Sequence, residues 1–354
     1  MIKTLIIGLT PPLEGGSERH IYEISSRIEG TTVLTQKNTL CKNAIPLPTI
    51  KKDGFLRNIS FFIVSLIYTF LLLARTKKKY EIIHIHENLL YFLIPLLRIR
   101  YKVMVTVHGI SGFKFYDNKV LWFFFKNSLQ HADKIVSVSL ADKELLDKDF
   151  NNVIYIPNGV NLNTYKQIPI EKTQKKITFV GRIHKQKGVE YLFKAFHELN
   201  KQYPKYKLNI IGKKQGDLYE KLKKTYSDKN ILWKGFISDR KKLFLELASS
   251  EILVFPSLWE ALPWPALLEG LGSGRPVIAS DLYGMKKIFT NKKDILLVSS
   301  KNPPELAKAL IFLIRNKSIA TKIGKEGYKI AEDYTWDKLA KKVQNLYNGS
   351  LASE

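Results

Sequence analysis

The sequence is poor in cysteine and in acidic residues, and both features restrict the class of protein. The single cysteine, Cys41, cannot form a disulfide bond within the chain, which favours a reducing compartment or a protein indifferent to redox. The 32 Asp and Glu residues stand against 57 Lys and Arg residues, so the formal net charge is +25. This excess predicts an anionic partner: nucleic acid, a membrane surface or a phosphorylated ligand.

Targeting signals, internal repeats and low-complexity tracts are also missing from the sequence. The first apolar run, residues 5–9, is too short for the hydrophobic region of a secretory signal, so we expect a cytoplasmic protein. The 354 residues exceed what one hydrophobic core usually serves, and 45% of them are hydrophobic. The sequence therefore predicts a globular protein of two domains rather than a disordered chain.

One segment has the composition of a membrane-associated helix. Residues 59–74, ISFFIVSLIYTFLLLA, carry no charge and lie between Arg57 and Arg75. A helix that spans a bilayer needs about 20 apolar residues, and this run is shorter. We expect a helix buried between the sheet and another helix or docked at a surface, because the lysine run 77–79 leads at once into a strand-like run.

Short, β-branched apolar runs alternate with helical patterns along the chain, as is typical of parallel sheets. The predicted strands are residues 4–8, 81–86, 103–108, 134–139 and 153–156 in the first half and 176–180, 208–211, 231–235, 252–255 and 276–279 in the second. The predicted helices include residues 17–27, 189–203, 240–248 and 267–271. Strand, crossover helix and parallel strand in repetition predict an α/β fold of two doubly wound domains.

The composition also predicts where the domains divide. The polar stretch 161–176, which contains Pro169, opens the second series of strands and is the predicted linker. We expect an N-terminal domain at 1–165, a C-terminal domain at 166–335 and a last helix at 336–354 that packs back on the N-terminal domain.

Glycine residues follow the first predicted strand. Gly15 and Gly16 precede a helix that begins near Ser17. In open parallel sheets, ligands bind beyond the carboxyl ends of strands, where glycine lets a ligand approach the backbone and a helix start offers N–H groups to an anion. A simple turn accounts for the same two glycines, and the pattern is neither the GxGxxG fingerprint nor a P-loop.

Two basic residues follow the first strand of the second half. Arg182 and Lys187, five positions apart, come after the strand 176–180 and suit a clamp on a diphosphate. Solvated surface charge is the competing interpretation in a lysine-rich chain. Because Arg182 directly follows a buried strand, where an unpaired charge is costly, we favour the clamp.

Two glutamates flank a helix start near Pro265. Glu260 lies in the preceding loop and Glu269 about one turn inside the helix, since proline suits the first helical position. Their carboxylates suit sugar hydroxyls, and the helix start suits a phosphate. Paired carboxylates also occur in glycoside hydrolases, but the neighbouring Arg182 and Lys187 favour a phosphate-bearing leaving group.

These stretches together resemble family 4 of the retaining glycosyltransferases over nearly the whole chain. The resemblance rests on PPLEGGSERH, EIIHIHEN, TVHG, IPNGVN, VGRIHKQKG, FPSLWEALPWPALLEG and GRPVIAS, of which the last three in register are the specific part. It implies two Rossmann-like domains in the GT-B arrangement with an interdomain cleft. It also implies a nucleotide-diphosphate sugar donor, transfer with retention, no metal or other cofactor, and a glycan or lipid-linked acceptor held by the N-terminal domain.

The resemblance assigns donor-binding roles in the second half. Arg182 and Lys187 match the pair that neutralises the donor diphosphate. Glu269 matches the glutamate that holds the nucleotide ribose, and Glu260 the one beside the transferred sugar.

It also assigns roles in the first half. Gly16 matches the glycine-loop position near the donor phosphate, and His108 the histidine close to the donor sugar. A structural histidine at a strand end is the alternative for His108. His84 and His86 share a strand face by spacing, and a packing or supporting role is favoured over metal binding because no third ligand is evident.

Two departures from the family pattern affect the donor site. Eight residues separate Glu260 from Glu269, where the family has seven, so the extra residue falls in the loop before the helix. Pro265 lacks the N–H that this loop offers the donor, and we expect Ala266 or Leu267 to supply that hydrogen bond. Donor binding with an unusual choice of sugar is the expectation that follows.

Three other functions fit parts of the sequence. A nucleotide-sugar epimerase or hydrolase would release or isomerise sugar without an acceptor, and a catalytically silent, membrane-docked partner subunit fits the altered glutamate spacing. Binding of nucleic acid is suggested by charge alone and is disfavoured, because the aromatic residues cluster in runs such as 113–116 and 122–126.

The same aromatic runs suit a membrane boundary, so we expect peripheral contact with an anionic surface on the inner face of the cell membrane.

Overall fold

The computed structural model describes residues 1–12, 15–50, 55–110, 118–163 and 173–351. The chain divides into unit 1, formed by Met1–Asn158 and Trp336–Glu354, and unit 2, formed by Gly159–Thr335. Each unit contains one parallel sheet flanked by helices, so the predicted fold class of two Rossmann-like α/β domains is confirmed. The predicted boundary at 165/166 and residues 164–172 of the predicted linker lie outside the described residues.

The sheet of unit 1 is parallel and buried. Its described strands are β1 (Thr4–Ile7), β2 (Thr31–Gln36), β3 (Ala44–Leu47), β4 (Ile82–Ile85), β5 (Lys102–Val107), β6 (Lys134–Ser137) and β7 (Val153–Tyr155), in the order β3-β2-β1-β4-β5-β6-β7. Both faces of β1 and β4 are buried, which is why three of the four residues of each strand are apolar. The strand order reverses between β1 and β4, and such a switch point is where open α/β sheets bind ligands.

The sheet of unit 2 repeats this plan. Its described strands are β8 (Lys176–Val180), β9 (Lys207–Ile211), β10 (Ile231–Gly235), β11 (Ile252–Phe255), β12 (Val277–Ser280) and β13 (Leu296–Val298), in the order β10-β9-β8-β11-β12-β13. The switch point lies between the neighbouring strands β8 and β11. Both segments that follow these strands carry predicted site residues.

Helices cover the faces of both sheets. The described helices are α1 (Gly16–Ser25), α2 (Phe55–Leu73), α3 (Ile94–Arg98), α4 (Lys119–Leu129) and α5 (Leu140–Leu146) in unit 1, α6 (Val189–Gln202), α7 (Leu218–Thr225), α8 (Arg240–Ala248), α9 (Pro265–Gly272), α10 (Met285–Ile288), α11 (Pro303–Arg315) and α12 (Lys317–Asp333) in unit 2, and α13 (Trp336–Leu351), again in unit 1. Short 3₁₀ helices are present at Asn88–Leu93 and Lys185–Lys187. The last helix, α13, packs on α1, since Trp336, Leu339 and Val343 share a buried cluster with Ile21 and Ile24.

The long apolar segment of the sequence is a surface helix. α2 is packed on unit 1 through the buried side chains of Phe61 and Leu72, whereas Ile63 and Ile67 are 49% and 55% exposed. By length and composition alone, its residues Leu56–Leu73 are sufficient to cross a membrane. Complete burial of this helix between a sheet and another helix, one of the two predicted placements, is therefore wrong. The aromatic run 113–116 lies outside the described residues.

Candidate functional site

The segments that follow β8 and β11 meet at the switch point of the unit 2 sheet. Gly188 has a positive φ of 62°, and a Cβ at this position would overlap the backbone carbonyl oxygen of Pro256. The backbone amide of Leu258 also donates to the carbonyl of Gln186 (2.7 Å). Glycine permits this close approach, and the side chains of the two segments are brought together by it.

Lys187 and Glu260 form an ion pair across these segments. The Nζ ammonium of Lys187 donates to Oε1 of Glu260, and the hydroxyl of Ser257 donates to the same oxygen at 2.8 Å. The two paired side chains are only 12% and 6% exposed. An ammonium has three donors, so Lys187 retains the capacity to bind a further anionic group. The fold thus joins two predicted site residues and makes each the partner of the other.

Arg182 lies in the same loop. Its position directly after a buried strand suggests a buried charge, and that expectation is wrong. The residue is exposed, and its guanidinium donates to the side-chain oxygens of Gln215 (3.2 Å) and Gln186 (3.3 Å). Gln186 in turn donates from Nε2 to the carbonyl of Trp259 at 3.1 Å, which ties Arg182 to the loop after β11. Sequence reasoning does not find Gln186, because an amide inside a basic segment gives no distinctive signal.

Glu269 is buried inside α9, which begins at Pro265 as predicted. Its carboxylate is paired with the guanidinium of Arg240, the first residue of α8. Asp239 caps α8 through its side chain, a pattern that predicts the helix start but not the direction of the next side chain. Arg240 is therefore a charged residue of this site that sequence reasoning misses.

The start of α9 offers fewer backbone donors than an ordinary helix. Pro265 has no N–H, and the amides of Leu267 and Leu268 donate to the carbonyl of Trp264 at 3.1 and 3.2 Å. Two amides, those of Ala266 and Leu267, are predicted to replace the N–H group that Pro265 lacks. The amide of Leu267 is already hydrogen-bonded within the turn. Ala266 is the better placed of the two for an anionic ligand.

The glycine loop of unit 1 leads into α1, which begins at Gly16 with Gly15 as its N-cap. A Cβ at Gly16 would meet no heavy atom of the described residues within 4 Å, whereas a Cβ at Gly15 would overlap the carboxylate of Glu18. Packing in the described part of the chain therefore does not demand glycine at 16. The open space leaves the backbone at the helix start accessible.

His108 follows β5 and contacts two other histidines of unit 1. Nδ1 of His86 lies 3.0 Å from Nε2 of His108, and the ring of His20 meets that of His108 edge-on, with 5.1 Å between centroids. Burial, reinforced by the neighbouring rings, holds the pKa of His86 and His108 well below the usual value, and burial lowers the pKa of His20 to about 4. These rings are neutral at pH 7, so His108 acts there as a hydrogen-bonding group rather than as a cation.

His84 adjoins the ring of His86 and contacts polar side chains of two other elements. Its Nδ1 lies 2.7 Å from the hydroxyl of Tyr347 in α13, and its Nε2 lies 2.8 Å from Oγ1 of Thr106 in β5. Burial lowers the pKa of His84 to about 3. Within the described ranges, no group of three or more His, Cys, Asp or Glu residues is arranged to hold a metal ion.

Comparisons with known proteins show what this chain is similar to. The family model of glycosyl transferases group 1 matches residues 162–330, and the model of Glycosyltransferase Family 4 matches residues 14–164. A UDP-Gal:alpha-D-GlcNAc-diphosphoundecaprenol alpha-1,3-galactosyltransferase of Escherichia coli is 26% identical over an alignment of length 348, and the alignment covers 88% of each chain.

Two solved structures have the same fold. The sucrose-phosphate synthase of Thermosynechococcus elongatus gives a TM-score of 0.81 at 19% identity over 100% of both chains. Anabaena HepE in complex with UDP-glucose gives 0.78 at 15% identity, covering 99% of this chain and 100% of HepE. Since the two family models together extend over residues 14–330 and both Rossmann-like units are present, the chain belongs to glycosyltransferase family 4 and is a sugar-transferring enzyme of the GT-B fold class.

Proposed function

We propose that the protein transfers a hexose from a nucleotide-diphosphate sugar to a glycan or lipid-linked acceptor with retention of the anomeric configuration. The observation that carries this proposal is the arrangement of Lys187, Glu260 and Glu269 after two neighbouring strands, at the switch point of unit 2. UDP-sugars are the first candidate donors, because HepE holds UDP-glucose and the Escherichia coli relative is named for UDP-Gal.

The donor diphosphate is assigned to the basic side of this arrangement. The exposed guanidinium of Arg182 suits two phosphate oxygens, and the Lys187 ammonium adds a third contact beside Glu260. The backbone amide of Ala266 at the start of α9 contributes an uncharged hydrogen-bond donor to the diphosphate. Because these groups supply the positive charge, we propose that the reaction needs no metal ion.

The nucleotide ribose is assigned to Glu269. Arg240 occupies the Oε1 oxygen of this buried carboxylate and fixes its orientation, and Oε2 is the acceptor that we assign to a ribose hydroxyl. Arg240 therefore acts as a positioning residue in this proposal, since it acts on the nucleotide through Glu269.

The proposed transfer takes place on one face of the sugar. The bond between C1 and the diphosphate oxygen breaks, and its electron pair leaves with the phosphate, whose charge Arg182 and Lys187 stabilise. The acceptor hydroxyl bonds to C1 on the same face and passes its proton to the departing phosphate oxygen. Glu260 accepts hydrogen bonds from an ammonium and a hydroxyl, which makes it a poor nucleophile, so we assign it to binding of the sugar.

Gly16 and His108 are assigned to the sugar end of the reaction on the family resemblance. The space beside Gly16 and the neutral state of His108 support these roles, since a neutral imidazole can either donate to a sugar hydroxyl or accept from it.

Binding of UDP tests the donor site directly. Calorimetry with the full chain should show UDP binding that Arg182→Ala and Lys187→Ala each weaken roughly tenfold or more, as expected for lost charge-assisted contacts. Lys185→Ala is the matched control, because Lys185 is an exposed lysine in the same 3₁₀ helix as Lys187. The assignment of the donor site is wrong if the wild-type protein binds no nucleoside diphosphate. It is also wrong if the control substitution weakens UDP binding as much as Arg182→Ala and Lys187→Ala do.

The reaction itself is tested with UDP-glucose and UDP-galactose and with an N-acetylglucosamine-diphospho-lipid acceptor. We expect an α-linked product by NMR, formed equally well with and without EDTA. A β-linked product would overturn retention, and loss of turnover in EDTA would overturn the metal-free proposal. Release of free sugar at the same rate without acceptor would identify a hydrolase instead.

A further inference from the structure

Helix α2 is apolar on its outward side as well as on the side that packs on unit 1. The side that packs on unit 1 includes Ser65 and Thr69, both 0% exposed. The opposite side presents Ile63, Ile67 and Phe70, which are 49%, 55% and 55% exposed. A surface helix of a water-soluble domain normally has polar residues on its outward side. The outward side of α2 therefore has the composition expected of a surface in contact with an apolar medium.

The same composition continues over the neighbouring elements. The 3₁₀ helix Asn88–Leu93 packs against both α2 and α4, so it lies between them. It presents Phe92, which is 40% exposed, and α4 presents Phe123 and Phe124, which are 60% and 52% exposed. We call Ile63, Ile67, Phe70, Phe92, Phe123 and Phe124 the apolar face of unit 1. Single scattered apolar residues are ordinary on protein surfaces, but several large ones exposed on three adjoining elements mark an interaction surface.

Basic residues border the apolar face. Arg75 and the lysine run 77–79 directly follow α2 and are exposed. The guanidinium of Arg100 donates to the carbonyls of Leu73 (3.0 Å) and Thr76 (2.9 Å), which holds this basic segment against the end of the helix. Lysines beside an apolar surface match the anionic headgroups that lie above lipid chains.

The attachment of α2 to unit 1 determines how the helix can meet a bilayer. Its 19 residues would extend about 28 Å. However, Phe61 and Leu72 on its inner side are 1% exposed and belong to the core of unit 1. Spanning would withdraw these side chains from the core and place the buried Ser65 in lipid. The helix is therefore suited to lie in the plane of the interface.

We propose that unit 1 docks on an anionic lipid bilayer through the apolar face, with Arg75 and the lysine run 77–79 on the headgroups. A second copy of the chain is disfavoured as the occupant, because a two-fold contact would bring equal basic borders together in a protein of net charge +25. The cytoplasmic leaflet, which carries anionic lipid, is the surface of matching charge. This docking rests on the apolar face and its basic border, and it does not depend on the proposed function.

Vesicle co-sedimentation with the full chain tests this docking. Wild-type protein should bind phosphatidylglycerol vesicles and bind phosphatidylcholine vesicles much more weakly. Ile67→Gln with Phe123→Gln should lower binding to phosphatidylglycerol roughly tenfold or more. Replacing Lys77, Lys78 and Lys79 by Gln should abolish the preference for anionic lipid. Ile319→Gln is the matched control, because Ile319 is a 40% exposed apolar residue of unit 2.

Two further measurements distinguish docking from misfolding and from dimer formation. Thermal unfolding and UDP binding of the Ile67→Gln/Phe123→Gln variant should equal those of wild type, so neither misfolding nor a failed donor site can imitate the result. Vesicle binding equal to wild type in this variant would overturn the proposal. A dimer in solution that the same two substitutions dissociate would identify a second copy as the occupant and overturn it as well.

Discussion

The ammonium of Lys187 is paired with the carboxylate of Glu260, although the two residues are 73 positions apart in the chain. Both side chains are nearly buried, and the hydroxyl of Ser257 completes the arrangement. A donor diphosphate that binds Lys187 must therefore share the ammonium with Glu260 or take its place. This competition distinguishes the roles of the two residues by experiment.

Exchange of each partner for glutamine should have opposite effects on UDP affinity. Lys187→Gln removes a cation and should weaken UDP roughly tenfold, whereas Glu260→Gln removes a competing anion and should leave UDP affinity unchanged or increase it. Calorimetry measures both, with Lys185→Gln as the control for a lost surface charge. Equal weakening by both substitutions would mean that Glu260 binds the nucleotide itself, contrary to its assignment to the sugar.

The pair of Arg240 and Glu269 should contribute to the stability of unit 2. Arg240→Met leaves the buried Glu269 carboxylate without its cation and should lower the free energy of unfolding by roughly 2 kcal/mol, since a buried acceptor is costly when unpaired. The double substitution Arg240→Met/Glu269→Gln should recover part of this loss. Urea unfolding measures the effect, and Lys241→Met, at an exposed neighbouring position of α8, is the control. A loss of the same size in the control would remove the ion pair as the cause.

Unit 1 should lose stability in mild acid because its histidines are buried as neutral rings. The folded protein holds the pKa of His20 at about 4 and that of His84 at about 3, below the usual 6.5, so the unfolded chain takes up protons first as the pH falls. The stability is fully present above pH 6.5 and is lost as the pH falls toward the folded pKa values. Each of the two residues should cost about 2 kcal/mol at pH 5 relative to pH 7.5.

Unfolding of a His84→Gln variant checks this pH dependence. The variant should show a smaller loss of unfolding free energy between pH 7.5 and pH 5 than wild type, whatever its stability at pH 7.5. His131→Gln, at an exposed position of unit 1, should keep the wild-type pH dependence. Parallel curves for wild type and His84→Gln would contradict the assignment of the acid sensitivity to buried histidines.

The strands that carry the site could be predicted because their signal is local. A run of apolar, β-branched residues such as ILVF in β11 identifies a strand buried on both faces without reference to the rest of the chain. The same rule does not find β2 or β3. β2 is the threonine-rich run TTVLTQ, and β3 contains Pro46. Their place beside neighbouring strands, rather than their composition, makes them strands.

The positions of the site residues could be predicted, but their partners could not. Arg182, Lys187 and Glu260 follow strands at the carboxyl edge, which the sequence pattern indicates. The approach of Gly188 to the Pro256 carbonyl decides that Lys187 meets Glu260, and the exposure of Arg182 contradicts an expectation based only on its distance from a buried strand. The contact between Lys187 and Glu260 and the exposure of Arg182 both depend on the conformations of loops, and local sequence patterns do not determine those conformations.

The sequence by itself determined that this chain folds as two parallel α/β units and that basic and acidic residues end neighbouring strands of the second. It also determined that residues 59–74 are almost entirely apolar. Only the tertiary structure decided that Arg240 holds Glu269 and that α2 turns Ser65 inward and Ile67 outward. The physical reason is that periodicity and composition report which residues avoid water. Which side chains form pairs, and toward which side each one points, depends on the elements against which each residue packs.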